Sequence, residues 1–439
     1  MQELKEKLLA DYHAFTQSLN GENKPFIRSI RDKAIDAFKE GGFPVTKQEE
    51  WKYTNLKPFL TEAYSTAKAE LSPAYSEKGA FEKYWIPELE SHRLVFINGL
   101  FAEELSHIQK ESKAFVGTLK QALSSQQDLL EQHLGKIAPI DYNDGLTALN
   151  MAFMKDGFCL HVPKGVTMDY PVQVLSISDN EKNTPWIQPH NLMVMEAAAH
   201  ATVYSHNVSL GKERSMSNVV TEIAVAQDAN LTFHQLINDV DEAAHVHRTF
   251  AQQEKNSIFT HFSFNLNAGF IRNDLNIEVN GEHAETNMYG LYLPKRKQLM
   301  DNHTTIDHKV PNCNSNELYK GVLNDTSVGV FNGKVYVRQD AQKTNAFQSN
   351  KNILLSDKAT MNTKPQLEIW ADDVQCSHGA TSGQLEKEPI FYMMSRGIPA
   401  KKAKVMMVYA FAAELFDALK ADQYKAFVDG QLQENLVSY

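Results

Sequence analysis

Closely spaced thiols are missing from this sequence. Its three cysteines, Cys159, Cys313 and Cys376, stand 154 and 63 positions apart, and no C-x-x-C occurs. That spacing excludes a zinc ribbon or a ferredoxin-like cluster loop, both of which depend on neighbouring thiolates. So sparse and odd a set also speaks against a secreted disulfide framework. Positive charge is short too: 44 Lys and Arg against 54 Asp and Glu give a formal charge of −10. The chain therefore lacks the basic footprint that nucleic acid or an anionic membrane surface requires. Long apolar runs are absent as well. Val405 to Ala413 is a run of nine residues, where a membrane-spanning helix needs about 20. The opening MQELKEKLLADY carries acidic residues and no apolar secretory core. A cytoplasmic protein that contacts neither membrane nor nucleic acid is expected.

Several catalytic words are also lacking. Gly329 and Gly333 enclose three residues instead of four, and Val335 follows Lys334, so the segment is no phosphate-binding P-loop. There is no G-x-S-x-G elbow, no H-E-x-x-H and no dinucleotide fingerprint. The chain is not expected to be an enzyme.

What is present is an ordinary globular balance, 42% hydrophobic and 22% charged, with length for about two or three domains. Residues 1 to 42 read as two helices. Phe26, Ile27, Ile30, Ala34, Ile35 and Phe38 recur at three- and four-residue steps, and Gly41-Gly42 supplies the stop. Thr46 and Glu49 have capping-box spacing and predict a short helix carrying Trp51 and Tyr53, aromatics best read as anchors of a helical cap. Ser91 to Gly99 predicts a strand, Ser112 to Leu134 one or two helices, and Asp144 precedes an apolar helix. Cys159, between Phe158 and Leu160, reads as a core filler.

From about Pro171 to Ala380 short β-branched and aromatic runs alternate with Asn, Asp and Gly turns. Turns marked at Ala199, Asp228, Asn256, Glu282, Asp325 and Asp357 are separated by 29, 28, 26, 43 and 32 residues. A loose repeat in this range marks a solenoid, and strands without crossover helices favour a right-handed parallel β-helix over a doubly wound sheet. A β-sandwich is the rival, since hairpins could give equally ragged spacing. The expected organisation is mainly β. It comprises a helical region with some strand over 1–156, a β-helix core over 157–381 and a helical region over 382–439. In the last, Val405, Val408, Tyr409, Ala412, Leu415, Phe416 and Leu419 form a core-facing stripe.

Two groups of polar residues could bind a cation: His245 with His247 on one strand face, and His303, Asp307 and His308 within six positions. Both lack a third ligand of known geometry and read as structural. Cys376 and His378 stand two apart and project from one face of an extended segment, a soft-metal pair or half of a thiol site. The simpler reading buries Cys376 in the last coil and lets His378 cap a turn.

The stretch around that pair, CSHGATSGQL followed by FYMMSRGI, Cys376 to Ile398, resembles the SufD iron–sulfur cluster assembly proteins of the SufB/SufD family. The segments Gly42 to Leu56, Gly321 to Val337 and Ala346 to Ala359 are similar to other parts of that family, and the C-S-H-G wording favours SufD over SufB. Glu386-Lys387 departs from it where many relatives carry an aspartate. The resemblance implies a β-helical, non-catalytic scaffold that pairs with a SufB-like paralogue and docks a SufC-like ATPase on its C-terminal helices. Cys376 and His378 would be candidate ligands at the SufB interface. Glu386 to Ala418 would hold the SufC surface, including Phe391, Tyr392 and Arg396. A transient cluster would be shared with the partner, none would bind tightly to the chain alone, and the isolated chain could form a homodimer. The rivals are a polysaccharide-active β-helix enzyme and a self-associating structural β-helix.

Overall fold

Short β-branched runs separated by residues that tolerate left-handed backbone cannot close on themselves; they bury their apolar faces by stacking coil on coil. The computed structural model, which describes residues 1–19, 24–60, 64–66, 81–110, 113–142 and 144–437, is a parallel β-solenoid of about eight turns with helices at both ends of the chain. Two sheets form its walls. Sheet A runs from Phe115–Thr118 through Phe158–Val162, His190–Met195, Ser215–Val225, Ala243–Gln253, Phe270–Val279, Leu299–His308 and Val328–Val337 to Thr360–Ile369. Sheet B runs from Leu100–Phe101 through His92–Ile97, Val172–Ser178, His200–Ser209, Asn230–Asn238, Ile258–Asn267, Glu285–Tyr292, Asn314–Leu323 and Asn345–Leu354 to Gln375–Gly383. The ladders among the later strands hold register residue for residue, as between 299–308 and 328–337.

The corners explain the ragged spacing of the turns. Ala198, Asp228, Asn256, His283, Asn312 and Lys343 all have positive φ, at intervals of 30, 28, 27, 29 and 31. They form one corner column. Arg296 and Asp325 belong to another, 29 residues apart. The apparent gap of 43 came from stepping from the first corner, at Glu282, to the second, at Asp325.

Side chains alternate between the interior and the two outer faces. Leu231, Phe259, Ile271, Met300, Phe331 and Val335 fill the inside. The N-terminal helices Gln2–Gln17, Pro25–Gly41 and Gly145–Phe153 cover the outer face of sheet A, packing Phe38, Trp51 and Leu149 in one core with Val246, Phe250 and Phe270. The helices Ala400–Ala413 and Asp422–Leu436 cover sheet B, placing Val408, Phe416 and Tyr424 against Leu236, Phe262 and Phe264. The expected stripe is the buried one. No helix among the described residues is long and apolar enough to cross a membrane.

One local expectation fails. Glu49–Trp51 is a single 3₁₀ turn, and the predicted Thr46 capping box does not form; Gln48 closes the loop instead, its Oε1 accepting from the Val45 N–H at 2.9 Å. Tertiary bonds fix the segment. Trp51 Nε1 donates to Asp144 Oδ2 at 2.8 Å and Thr54 Oγ1 to Asp301 Oδ2 at 2.5 Å, while the Arg272 guanidinium lies 4.6 Å from the Trp51 ring centroid. The aromatic at 51 anchors the cap, as its sequence suggests; Tyr53 is 44% exposed.

Candidate functional site

Among the described residues nothing caps the C-terminal end of the solenoid. Thr360–Ile369 closes sheet A and Gln375–Gly383 closes sheet B, each paired on one side only. Their residues are all exposed or half-buried, whereas Asn314–Leu323 and Val328–Val337, farther in, are largely buried. Unpaired N–H and C=O groups on two parallel edges, above a partly open interior, are a template for another chain.

Cys376 and His378 lie on this last strand, in register with Ala346 and Gln348. Ala346 and Gln348 are buried, at 0% and 4% exposure, so their in-register neighbours face the solenoid interior from its rim. Cys376 is half-buried against the interior core and His378 is exposed. Burial pushes the Cys376 thiol up from its ordinary range, opposed by a backbone hydrogen bond with Ala346. The free chain thus presents a thiol, and an arriving cation would supply the drive for it to ionise.

The other two cysteines are buried. Cys159 sits at 0% exposure with its pKa raised by burial, and Cys313 Sγ donates to the Gly281 carbonyl at 3.4 Å. The histidine groups do not assemble. His303 and Asp307 point out of sheet A, where they meet Glu50 and Arg338, whereas His308 points in and bonds Ser315 Oγ at 3.0 Å. His245 Nε2 lies 2.8 Å from Asp239 Oδ2, and His247, 5.5 Å away ring to ring, is held well below its ordinary range by burial. Among the described residues no three His, Cys, Asp or Glu side chains come together as a metal site. Cys376 and His378 are therefore at most part of a ligand set.

Phe391, Tyr392 and Arg396 come together on a second exposed feature. Helix Lys387–Ser395 buries none of its residues, and Phe391 and Tyr392 are 73% and 59% exposed. Arg396 covers the Tyr392 ring at 5.3 Å and donates to its hydroxyl at 3.2 Å. Aromatic and Arg side chains left bare on one helix have the composition of an interface anchor.

Sequence reading missed two residues behind the pair. Gln348 and Glu317 occupy the same inner column as His378, one and two coils back respectively. Gln348 Nε2 donates to Glu317 Oε2 at 2.7 Å, and burial pushes Glu317 up to about 7, with Thr304 and Gln348 opposing the shift. Counting back 30 residues from His378, and 31 more from Gln348, would have found them.

Two family models match the chain: the SufBD protein N-terminal region over residues 2–174, and the SUF system FeS cluster assembly SufBD core domain over 177–411. An iron-sulfur cluster assembly SufBD family protein of Synechocystis is 31% identical over 411 residues, covering 91% of this chain and 89% of that protein. The iron-sulfur cluster assembly protein SufD of Escherichia coli is 31% identical over 400 residues, 90% of each chain. SufD of Bacillus subtilis is 27% identical over 326 residues, 73% of this chain and 74% of that one.

Proposed function

Since the chain belongs to the SufB/SufD family and its place is in iron–sulfur cluster assembly, we propose that it is a non-catalytic SufD-type scaffold subunit. Through its uncapped coil it pairs end to end with a SufB-like paralogue. Through residues 382–439, and the Phe391, Tyr392 and Arg396 surface in particular, it docks a SufC-like ATPase. Cys376 and His378 each give a soft or borderline donor to iron held jointly with the paralogue, and the remaining ligands come from across the joint. A stably bound cluster generally takes four protein ligands, mostly thiolates, and this rim offers one thiol and one imidazole.

The observation that carries this reading is the bare final coil with both donors on its inner rim. A solenoid that ended in water would need a polar cap; here two strand edges and a half-buried thiol are left for a partner. Pairing would bury Cys376 and His378, and nucleotide-driven movement of the docked ATPase would open the joint to iron and sulfur donors.

Co-expression with a SufB-like and a SufC-like chain tests it. The account expects co-purification of all three and loss of cluster formation in His378→Ala on the reconstituted complex. A chain that captures neither partner, or a complex whose assembly is undiminished by His378→Ala, discards the respective part.

A further inference from the structure

Glu317, Gln348 and His378 stand in register on consecutive strands of sheet B, which lie about 4.8 Å apart. Each side chain therefore stacks on the next. Glu317 and Gln348 are buried, at 5% and 4% exposure, and joined by the 2.7 Å bond from Gln348 Nε2 to Glu317 Oε2. A primary amide carries its donors and its acceptor on different arms. Its nitrogen is committed to Glu317, which leaves the oxygen as the free arm, and Glu317, Gln348 and His378 line one pocket. That oxygen is buried and accepts no hydrogen bond, and buried acceptors are rarely left so without reason. The opposite wall makes the room: a Cβ on Gly333 would overlap Gln348 Nε2. Glycine at 333 is what lets the amide lie there.

We propose that Glu317 and Gln348 are positioning residues for His378, a role that rests on reading Cys376 and His378 as the cargo site. Glu317 anchors the amide, and Gln348 Oε1, unpaired in the structure, takes one ring N–H of His378 by a rotation of that side chain into the column. That bond fixes the tautomer and leaves the other ring nitrogen, with its lone pair, directed to the open rim. A partner that orients a ligating imidazole in this way typically changes metal affinity or activity roughly ten- to hundred-fold when removed.

The test is nitrogen NMR on the full chain labelled at histidine, with the His378 signals assigned by their loss in His378→Ala. The wild type is expected to show one dominant tautomer at His378. Gln348→Met, which keeps length and removes the acceptor, and Gly333→Ala, which displaces the amide, are expected to give mixed tautomers. Glu317→Gln keeps an acceptor for the amide and should restore the wild-type pattern, whereas Glu317→Leu should not. On the reconstituted complex Gln348→Met should slow cluster formation by about tenfold or more. Should Gln348→Met not fold, Gln348→Asn, one methylene too short to reach, carries the same expectation. Unchanged His378 shifts in folded Gln348→Met and Gly333→Ala overturn the proposal. Undiminished assembly in His378→Ala, with the ring still responding to Gln348→Met, instead overturns the ligand reading and leaves the positioning in place.

Discussion

Glu50, in the N-terminal cap, reaches His303 on the outer face of the solenoid, Oε2 to Nδ1 at 3.3 Å. On its other side the ring meets Asp301, Nε2 to Oδ1 at 3.1 Å, and Lys334 also pairs with Glu50. Burial and the nearby Arg272 push His303 down, but Asp301 and Glu50 more than reverse this, so the ring is held above its ordinary value of 6.5. The His303 bond draws Glu50 down to about 2, against its own burial and with help from Lys334.

The signs follow by linkage. The raised imidazole contributes stability that is complete below pH 6.5 and lost as pH rises through the folded value. The depressed carboxyl contributes above pH 4.5 and loses its share as pH falls toward 2. Both act together between those limits. The difference in Tm between the wild type and His303→Gln should therefore shrink as pH rises from about 6 to 9. A difference that holds constant or grows over that range contradicts this account of the cap.

Arg248 bridges the cap and sheet A, with Nη2 2.6 Å from Asp144 and Nε 3.2 Å from Asp274, all three side chains at or near 0% exposure. Removing Arg248 leaves Asp144 buried without its counter-charge, while Asp274 keeps Arg272; breaking a buried pair in this way costs about 3 to 5 kcal/mol. Arg248→Met should lose that much in urea unfolding. A loss under about 1 kcal/mol would mean that the carboxylates find other partners.

Glu222 takes the place of an anion bound by a loop. Its carboxylate accepts from the N–H groups of Gly135, Lys136, Ile137 and Ala138 at 2.7 to 3.1 Å and lies 2.7 Å from His190 Nε2. Burial alone would raise its pKa, but His190 and these amides reverse that and hold it low. Glu222→Gln aims an amide N–H₂ at donors and should cost about 3 kcal/mol. Exchange of the 135–138 amides should accelerate with it; unchanged protection there would refute the assignment.

Phe391 and Tyr392 are exposed on a helix that buries no residue, and the Tyr392 ring and hydroxyl meet the exposed Arg396. Alanine at both positions should leave the urea midpoint within the roughly 0.5 kcal/mol expected of a surface change. Binding of the ATPase subunit should nonetheless fail. A large drop in stability would show instead that the helix is part of the fold.

The ends of the chain were legible because their periods are plain: the stripe from Val405 to Leu419 and the apolar run after Asp144 form the helices that the spacing predicts. So were the early strands and Val328–Val337, where apolar residues alternate. The pattern is weakest in three middle strands, Glu285–Tyr292, Leu299–His308 and Asn314–Leu323. Their inward positions include Thr286, Asn302, Thr304, Ser315 and Glu317, so hydrophobic alternation fails where the interior turns polar. There amides bond amides across the core, as Asn265 does to Asn302 at 3.0 Å. At the site, the shared face of Cys376 and His378 followed from their spacing of two. The column behind them did not, because it is built by coil register, which no local pattern carries.

The most direct test of shared ligation is anaerobic loading with ferrous iron and sulfide, first of the isolated chain and then of the chain paired with a SufB-like partner, counting iron per chain and reading cluster type by Mössbauer spectroscopy. The account predicts far less than one cluster per isolated chain, a marked rise on pairing, and loss of that rise in the double variant Cys376→Ser, His378→Ala. An isolated chain that holds a cluster at full occupancy on its own ligands would contradict it.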